Sequence, residues 1–155
     1  MAPEVQNART ADVPALVELY HRAYEGNKRI GFPSSVLECG ADDVAEWIHN
    51  RRVLVAIDAE EIVGVVQIIP RPEWNMPEIG RLAVSPDHQT QGVGTLLLES
   101  AEESLRAEGR ESVRLRTLSG HPFLEDWYRR AGYERVGIER LSDRPYDAPI
   151  MEKGL

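Results

Sequence analysis

Cysteine is nearly absent from this chain. Cys39 stands alone among 155 residues, so no internal disulfide can form, and with no His and Asp arrangement near it Cys39 reads as structural rather than nucleophilic. Lysine is almost as scarce: Lys28 and Lys153 are the only two, and the remaining positive charge is arginine. No apolar run approaches the roughly 18 to 20 residues a membrane span needs. The beginning of the chain, with Glu4 and Asp12, lacks the basic and then apolar layout of a secretory signal. A cytoplasmic protein with no membrane partner is expected. Basic charge is in deficit as a whole, 18 Lys and Arg against 26 Asp and Glu for a net −8. That argues against a nucleic-acid partner, because such binding rests on basic side chains displacing counterions, and it suits a cationic or amine-bearing partner better. His21, His49 and His88 lack the spacing to carboxylates or cysteine that a metal site requires, so none is expected.

What is present is ordinary for a folded domain: 42% apolar and 28% charged residues, with no repeat, low-complexity tract or linker. A chain of about 150 residues buries about two-thirds of its unfolded surface, so residues 1–155 are read as one domain. Val13, Leu16, Val17, Leu19 and Tyr20 recur at helical spacing and predict a helix over 11–24, with Pro14 tolerated in its first turn. Gly26, Asn27, Gly31 and Pro33 predict an exposed loop over 25–35, followed by a short helix over 42–49. From Arg52 the pattern turns β-branched. Val53–Ile57 and Ile62–Ile69, joined by a short acidic turn, predict an antiparallel hairpin, and Glu78–Val84 a further strand closed by Pro86. Val93, Leu96, Leu97, Ala101 and Leu105 predict an amphipathic helix ended by Gly109, with Glu99, Glu102, Glu103 and Arg106 off its apolar face. Strands over 112–118, 133–140 and 150–155 and a short helix over 123–130 complete an order βα(α)ββ, β, α, β, α, ββ. This is α+β, a mixed and mostly antiparallel sheet flanked by helices on both faces.

The junction between the strand ending at Val84 and the helix beginning near Val93 carries chemistry. The first N–H groups of a helix have no internal partners and its dipole favours negative charge there. Gly92 and Gly94 have no Cβ, so a phosphate could approach the main chain, or they could simply permit a tight helix entry. Other phosphate motifs do not fit. A P-loop needs Gly-Lys-Ser or Gly-Lys-Thr, and neither lysine lies near residues 92–95; a dinucleotide fingerprint needs a third small residue where Leu97 stands.

Gln89-Thr90-Gln91-Gly92-Val93-Gly94 resembles the signature of the GNAT superfamily of acyl-CoA-dependent N-acyltransferases: Gln or Arg, two residues, Gly, one residue, then Gly or Ala. The flanking order of strand, glycine turn, helix and strand resembles it too. So does Trp127-Tyr128-Arg129-Arg130-Ala131-Gly132-Tyr133, and the likeness covers almost the whole chain. It implies that main-chain groups of Leu82, Ala83 and Val84 receive the acyl carbonyl and pantetheine. It implies that Gln89, Thr90, Gln91, Gly92, Val93, Gly94 and Thr95 surround the pyrophosphate. A parting of the strands at 78–84 and 112–118 would admit the pantetheine between them. Acetyl-CoA is the implied acyl donor, and a primary amine of a small molecule or peptide the implied acceptor, attacking the thioester directly.

The reaction sets its own requirements: the ammonium of the acceptor must lose a proton and the departing thiolate gains from a donor. Tyr128 matches the family's acid, and its alternative is an aromatic packed beside Trp127. Glu78 stands where some members carry a catalytic glutamate. A carboxylate desolvated in a cleft can act as base directly or through water, and the alternative is a solvated carboxylate at a strand start. His121 replaces the Asn that often contacts pantetheine seven residues before the acid. It could supply the equivalent bond to the cofactor, act as an accessory base, or cap the following helix. Tyr24, Asn27, Arg29, Phe32, Trp74, Asn75 and Met76 are expected around the acceptor. Arg29 favours a carboxylate-bearing acceptor, and the acidic net charge a polyamine or aminoglycoside. A larger acyl group, and a non-catalytic acyl-CoA-binding module of the same fold, are the competing readings. Free strand edges near the C-terminus leave room for a homodimer.

Overall fold

β-Branched runs become strands and amphipathic stretches become helices in the computed structural model, which describes residues 3–89 and 91–155. In chain order these are β1 (Glu4–Asn7), α1 (Val13–Arg29), α2 (Ala41–Asn50), β2 (Arg52–Asp58), β3 (Glu61–Ile69), β4 (Glu78–Val84), α3 (Val93–Ala107), β5 (Ser112–Arg116), α4 (Leu124–Arg130), β6 (Glu134–Glu139) and β7 (Ala148–Gly154). All seven strands join one sheet in the order β1-β2-β3-β4-β5-β7-β6. The β4–β5 pair is parallel and the other pairs are antiparallel, giving the α+β, mixed and mostly antiparallel sheet read from the sequence.

Alternation along β2 explains why its apolar run is continuous. Val53 and Val55 pack with Val65 and Ala83 under α1 and α2, while Leu54 and Ala56 pack with Val66 and Ile68 under α3 and α4. A strand covered on both faces has no polar side to show. The hairpin between β2 and β3 turns through Ala59 and Glu60, both at positive φ (50° and 68°), the backbone a two-residue turn demands even without glycine.

Two sequence expectations are corrected. The first helix does not yield to a loop at Glu25 but runs through Gly26 and Asn27 to Arg29. Lys28 and Arg29 lie in its last turn, where cations complement the helix dipole, and the N–H groups of Ile30 and Phe32 close on the Asn27 carbonyl at 3.2 and 2.9 Å. Glu102 does not face solvent: it is buried, accepting from the Tyr133 hydroxyl at 2.7 Å and Lys153 Nζ at 3.0 Å. A buried carboxylate paired on both oxygens fastens α3 to the C-terminal strands.

Three backbone features position the site. Gly64 in β3 lets α3 lie close, since a Cβ there would stand 2.7 Å from Leu97 Cδ1 and 2.8 Å from Val93 Cγ1. β4 bulges at Arg81, which takes φ 49°, so that two residues, Arg81 and Leu82, face Val66 alone. β4 and β5 are paired only at Glu78↔Arg114. Beyond that point the two strands part, as the resemblance implies.

Candidate active site

α3 begins at Gly92, whose φ of 81° turns the chain from β4 into the helix. The helix's own bonding starts with the Leu96 N–H on the Gly92 carbonyl at 3.0 Å. The N–H groups of Val93, Gly94 and Thr95 therefore have no partner within the helix, and they point with the positive end of its dipole along a 15-residue axis. A cavity of about 580 Å³ opens over them. Its walls are Leu82, Ala83 and Val84 of β4, Gln89, Gly92, Val93, Gly94 and Thr95 of the turn and helix, and His121 and Trp127 from the α4 region. From Gly80 on, the β4 edge turned toward β5 makes no ladder bonds, so an extended ligand can pair there as an added strand. The Gln89 side chain folds back to donate to the Val84 carbonyl at 3.3 Å.

The residues predicted to bind the cofactor thus largely converge, with three exceptions. Gln91 is exposed and does not line this cavity. Thr90 lies outside the described residues. Tyr128 stands behind the wall: it is 9% exposed, set between Trp127 and Tyr133 at ring distances of 4.9 and 5.9 Å. Burial raises its hydroxyl pKa well above the ordinary phenol value, with Tyr24 pushing the same way, so the phenol keeps its proton. Trp127 itself was read only as part of a motif; it packs over Gly94, where a Cβ would meet it at 3.6 Å. His88, which also lines this cavity, has a buried Nδ1 without a partner among the described residues. Its place directly before Gln89 was the available signal.

His121 does cap α4. Its Nδ1 accepts from the Phe123 and Leu124 N–H groups at 3.3 Å each, which leaves Nε2 as the donor to Asn27 Oδ1 at 3.4 Å. Burial lowers its pKa, consistent with the neutral ring this bonding requires.

A second cavity of about 570 Å³ lies beside the first, and Tyr24 lines both. Tyr24 is half-buried, and its hydroxyl is pushed up to about 12 by burial, against the opposing pull of Arg81. Glu78 lines this second cavity and is 2% exposed. Burial is accompanied by two guanidiniums that the sequence did not place: Arg71 Nε donates to Oε1 and Arg116 Nε to Oε2, each at 2.8 Å. Each oxygen keeps lone-pair capacity for a further donor.

Of the residues expected around the acceptor, Tyr24 lines both of these cavities. Asn27 lines the first cavity and Arg29 a separate surface hollow. Phe32 stacks between His121 and Tyr146. Trp74 lies beneath Arg71 and Arg114, while Asn75 and Met76 line a small pocket of about 250 Å³. Cys39 is buried against His21 and lines neither large cavity, and burial raises its thiol pKa. Among the described residues no group of three His, Cys, Asp or Glu side chains is placed to hold a metal.

A family model described as an acetyltransferase (GNAT) domain matches residues 49–135. S-(2-succino)cysteine N-acetyltransferase of Bacillus subtilis (strain 168) is 30% identical over 150 residues, covering 91% of this chain and 90% of that one. S-alkylcysteine N-acetyltransferase of the same organism is 26% identical, covering 88% of this chain and 80% of its own. Among solved structures, PaiA N-acetyltransferase from Thermoplasma acidophilum in complex with coenzyme A superposes with a TM-score of 0.82 at 18% identity over the whole of both chains.

Proposed function

The chain belongs to the GNAT acetyltransferase family, an N-acetyltransferase drawing its acetyl group from acetyl-CoA, and on that premise we propose that its acceptor is the amine of a free amino acid. The observation that carries this is the meeting of two cavities at Tyr24, one over the N-terminus of α3 and one lined by Glu78. Two relatives whose names specify cysteine derivatives as acceptors, matched over most of their length, support the same class.

In this reading the pyrophosphate rests on the N–H groups of Val93, Gly94 and Thr95, and the pantetheine runs along the unpaired edge of Leu82, Ala83 and Val84 toward the parting of β4 and β5. The acceptor ammonium gives a proton to Glu78, directly or through water. The free amine then attacks the thioester carbonyl: a C–N bond forms, the C–S bond breaks, the departing thiolate takes the Tyr128 phenol proton, and the acylated nitrogen sheds its second proton to solvent. The products are an amide and coenzyme A, and solvent restores both side chains. Tyr128 takes the acid role from its place in the motif, and burial keeps it protonated at neutral pH so that a proton is there to give. Cys39, buried away from both cavities, has no part in an acyl-enzyme route. No observation favours the non-catalytic reading.

The protein is proposed to act in the cytoplasm; no helix among the described residues is long and apolar enough to cross a membrane. Pairing of two copies has the exposed Val136 and Ile138 of edge strand β6 in its favour. The test of the acceptor reading is coenzyme A release on free amino acids, on the same amino acids with the amine blocked, and on peptides with a free N-terminus. Release only with free, unblocked amino acids is expected; release with peptides alone would refute it.

A further inference from the structure

The second cavity differs in charge from the molecule around it. In a chain of net charge −8, its lining holds five arginines (51, 71, 81, 116 and 144) against two glutamates (73 and 78). Arg71 and Arg116 are engaged by Glu78, and further by Glu73 and Glu139. The other three are not neutralised inside the cavity. Arg51 donates to the neutral amide oxygen of Gln67 at 2.7 Å. Arg81 lies over the Trp47 ring at 4.7 Å, with no ion pair among the described residues. Arg144 meets the exposed carboxylate of its neighbour Asp143 at 3.4 Å and that residue's carbonyl at 3.2 Å.

These guanidiniums are held in place by buried structure. Gln67 is fully buried and bridges the Tyr20 hydroxyl, at 2.9 Å, to Arg51. Trp47 packs edge-on to Tyr20 at 5.5 Å and carries Arg51 at 5.8 Å and Arg81 at 4.7 Å over its ring. Arg81 also occupies the positive-φ position of the β4 bulge, a conformation that non-glycine residues rarely adopt. Two cations converging on one indole without a carboxylate between them are unfavourable in isolation. Arg51 accordingly holds its proton less firmly than usual, first through burial and then through Arg81. A second, independent feature faces the same space: Thr117 lines the cavity at 2% exposure, and its buried hydroxyl has no hydrogen-bond partner among the described residues.

We propose that this cavity is a polycarboxylate subsite: the acceptor is an amino acid carrying at least one side-chain carboxylate besides the α-carboxylate, held by Arg51, Arg81 and Arg144 with Thr117 as a neutral donor. Guanidiniums grip carboxylates through paired, charge-assisted hydrogen bonds, and a half-enclosed site strengthens them relative to open water. The same local charge repels polyamines, so the acidic outer surface and the basic interior do not conflict: the surface sets solubility, and the cavity sets specificity. The inference rests on the amino-acid reading above.

Two matched acceptor series test it: glutamine, glutamate and γ-carboxyglutamate, and S-methylcysteine against S-(carboxymethyl)cysteine. The value of kcat/KM should rise roughly tenfold or more with each added carboxylate. In Arg81→Gln and Arg144→Gln the ratio of acidic to neutral acceptor should fall towards one, chiefly through KM for the acid. Arg144 lies outside the helices and strands, so its replacement tests the subsite without entering the core. Equal efficiency across each series, or a ratio unmoved in both variants, overturns the subsite and leaves the amino-acid reading standing. Turnover of none of these acceptors, with a peptide amine accepted instead, overturns both.

Discussion

The phenol of Tyr128 and the carboxylate of Glu78 are both buried, and the proposed reaction gives them opposite duties. Aromatic rings on either side of Tyr128 exclude water and keep it protonated, while Arg71 and Arg116 beside Glu78 stabilise charge. Tyr128→Phe removes the donor and little else; kcat should fall by roughly 10²-fold or more while calorimetric coenzyme A affinity stays the same. Glu78→Gln should lower kcat/KM by roughly 10²-fold, and turnover left unchanged removes the base role. The residue types of this site were legible through the family resemblance that Gly92, Gly94, Tyr128 and Glu78 carry, whereas the glycine spacing alone left a simple helix entry open. The arginine cavity was not legible. Arg51, Arg71, Arg81, Arg116 and Arg144 come from separate segments that only the sheet assembles, and in an arginine-rich chain each of them resembles a surface residue.

At the scale of elements, the strands and helices whose period matched a single environment were legible, and those whose ends depend on tertiary partners were not. Gly26 and Asn27 signal a break, yet α1 continues, with Asn27 meeting His121 across 94 positions of sequence. Glu102 looks solvated until Tyr133 and Lys153 arrive from the far end of the chain. Gly64 sits inside a β run, and its role depends on Leu97 and Val93, which lie beyond the next strand. Its consequence is testable. In Gly64→Ala the new methyl must displace Leu97, which is fully buried, and Val93, which is stiff at χ1, so unfolding stability should drop by about 1–3 kcal/mol. Because Val93 opens α3, coenzyme A affinity should weaken in the same variant. Denaturant midpoints and a coenzyme A titration read the two effects separately, and a variant unchanged in both would show that α3 is not seated by this contact.

Across the whole molecule, one sheet serves two functions by parting at β4 and β5. The ladder at Glu78↔Arg114 holds the strands together at one end, and beyond it one cavity reaches the α3 N-terminus while another opens toward the arginines, with Tyr24 bordering both. On the proposed reading the acetyl donor and the acceptor are present together, since the single cysteine, Cys39, lines neither cavity. The most direct measurement of that claim is the initial-velocity pattern with acetyl-CoA and an amino-acid acceptor varied against each other. Double-reciprocal lines that intersect, as a ternary complex demands, are the predicted result; parallel lines, the mark of an acetylated enzyme and a single shared site, would contradict it.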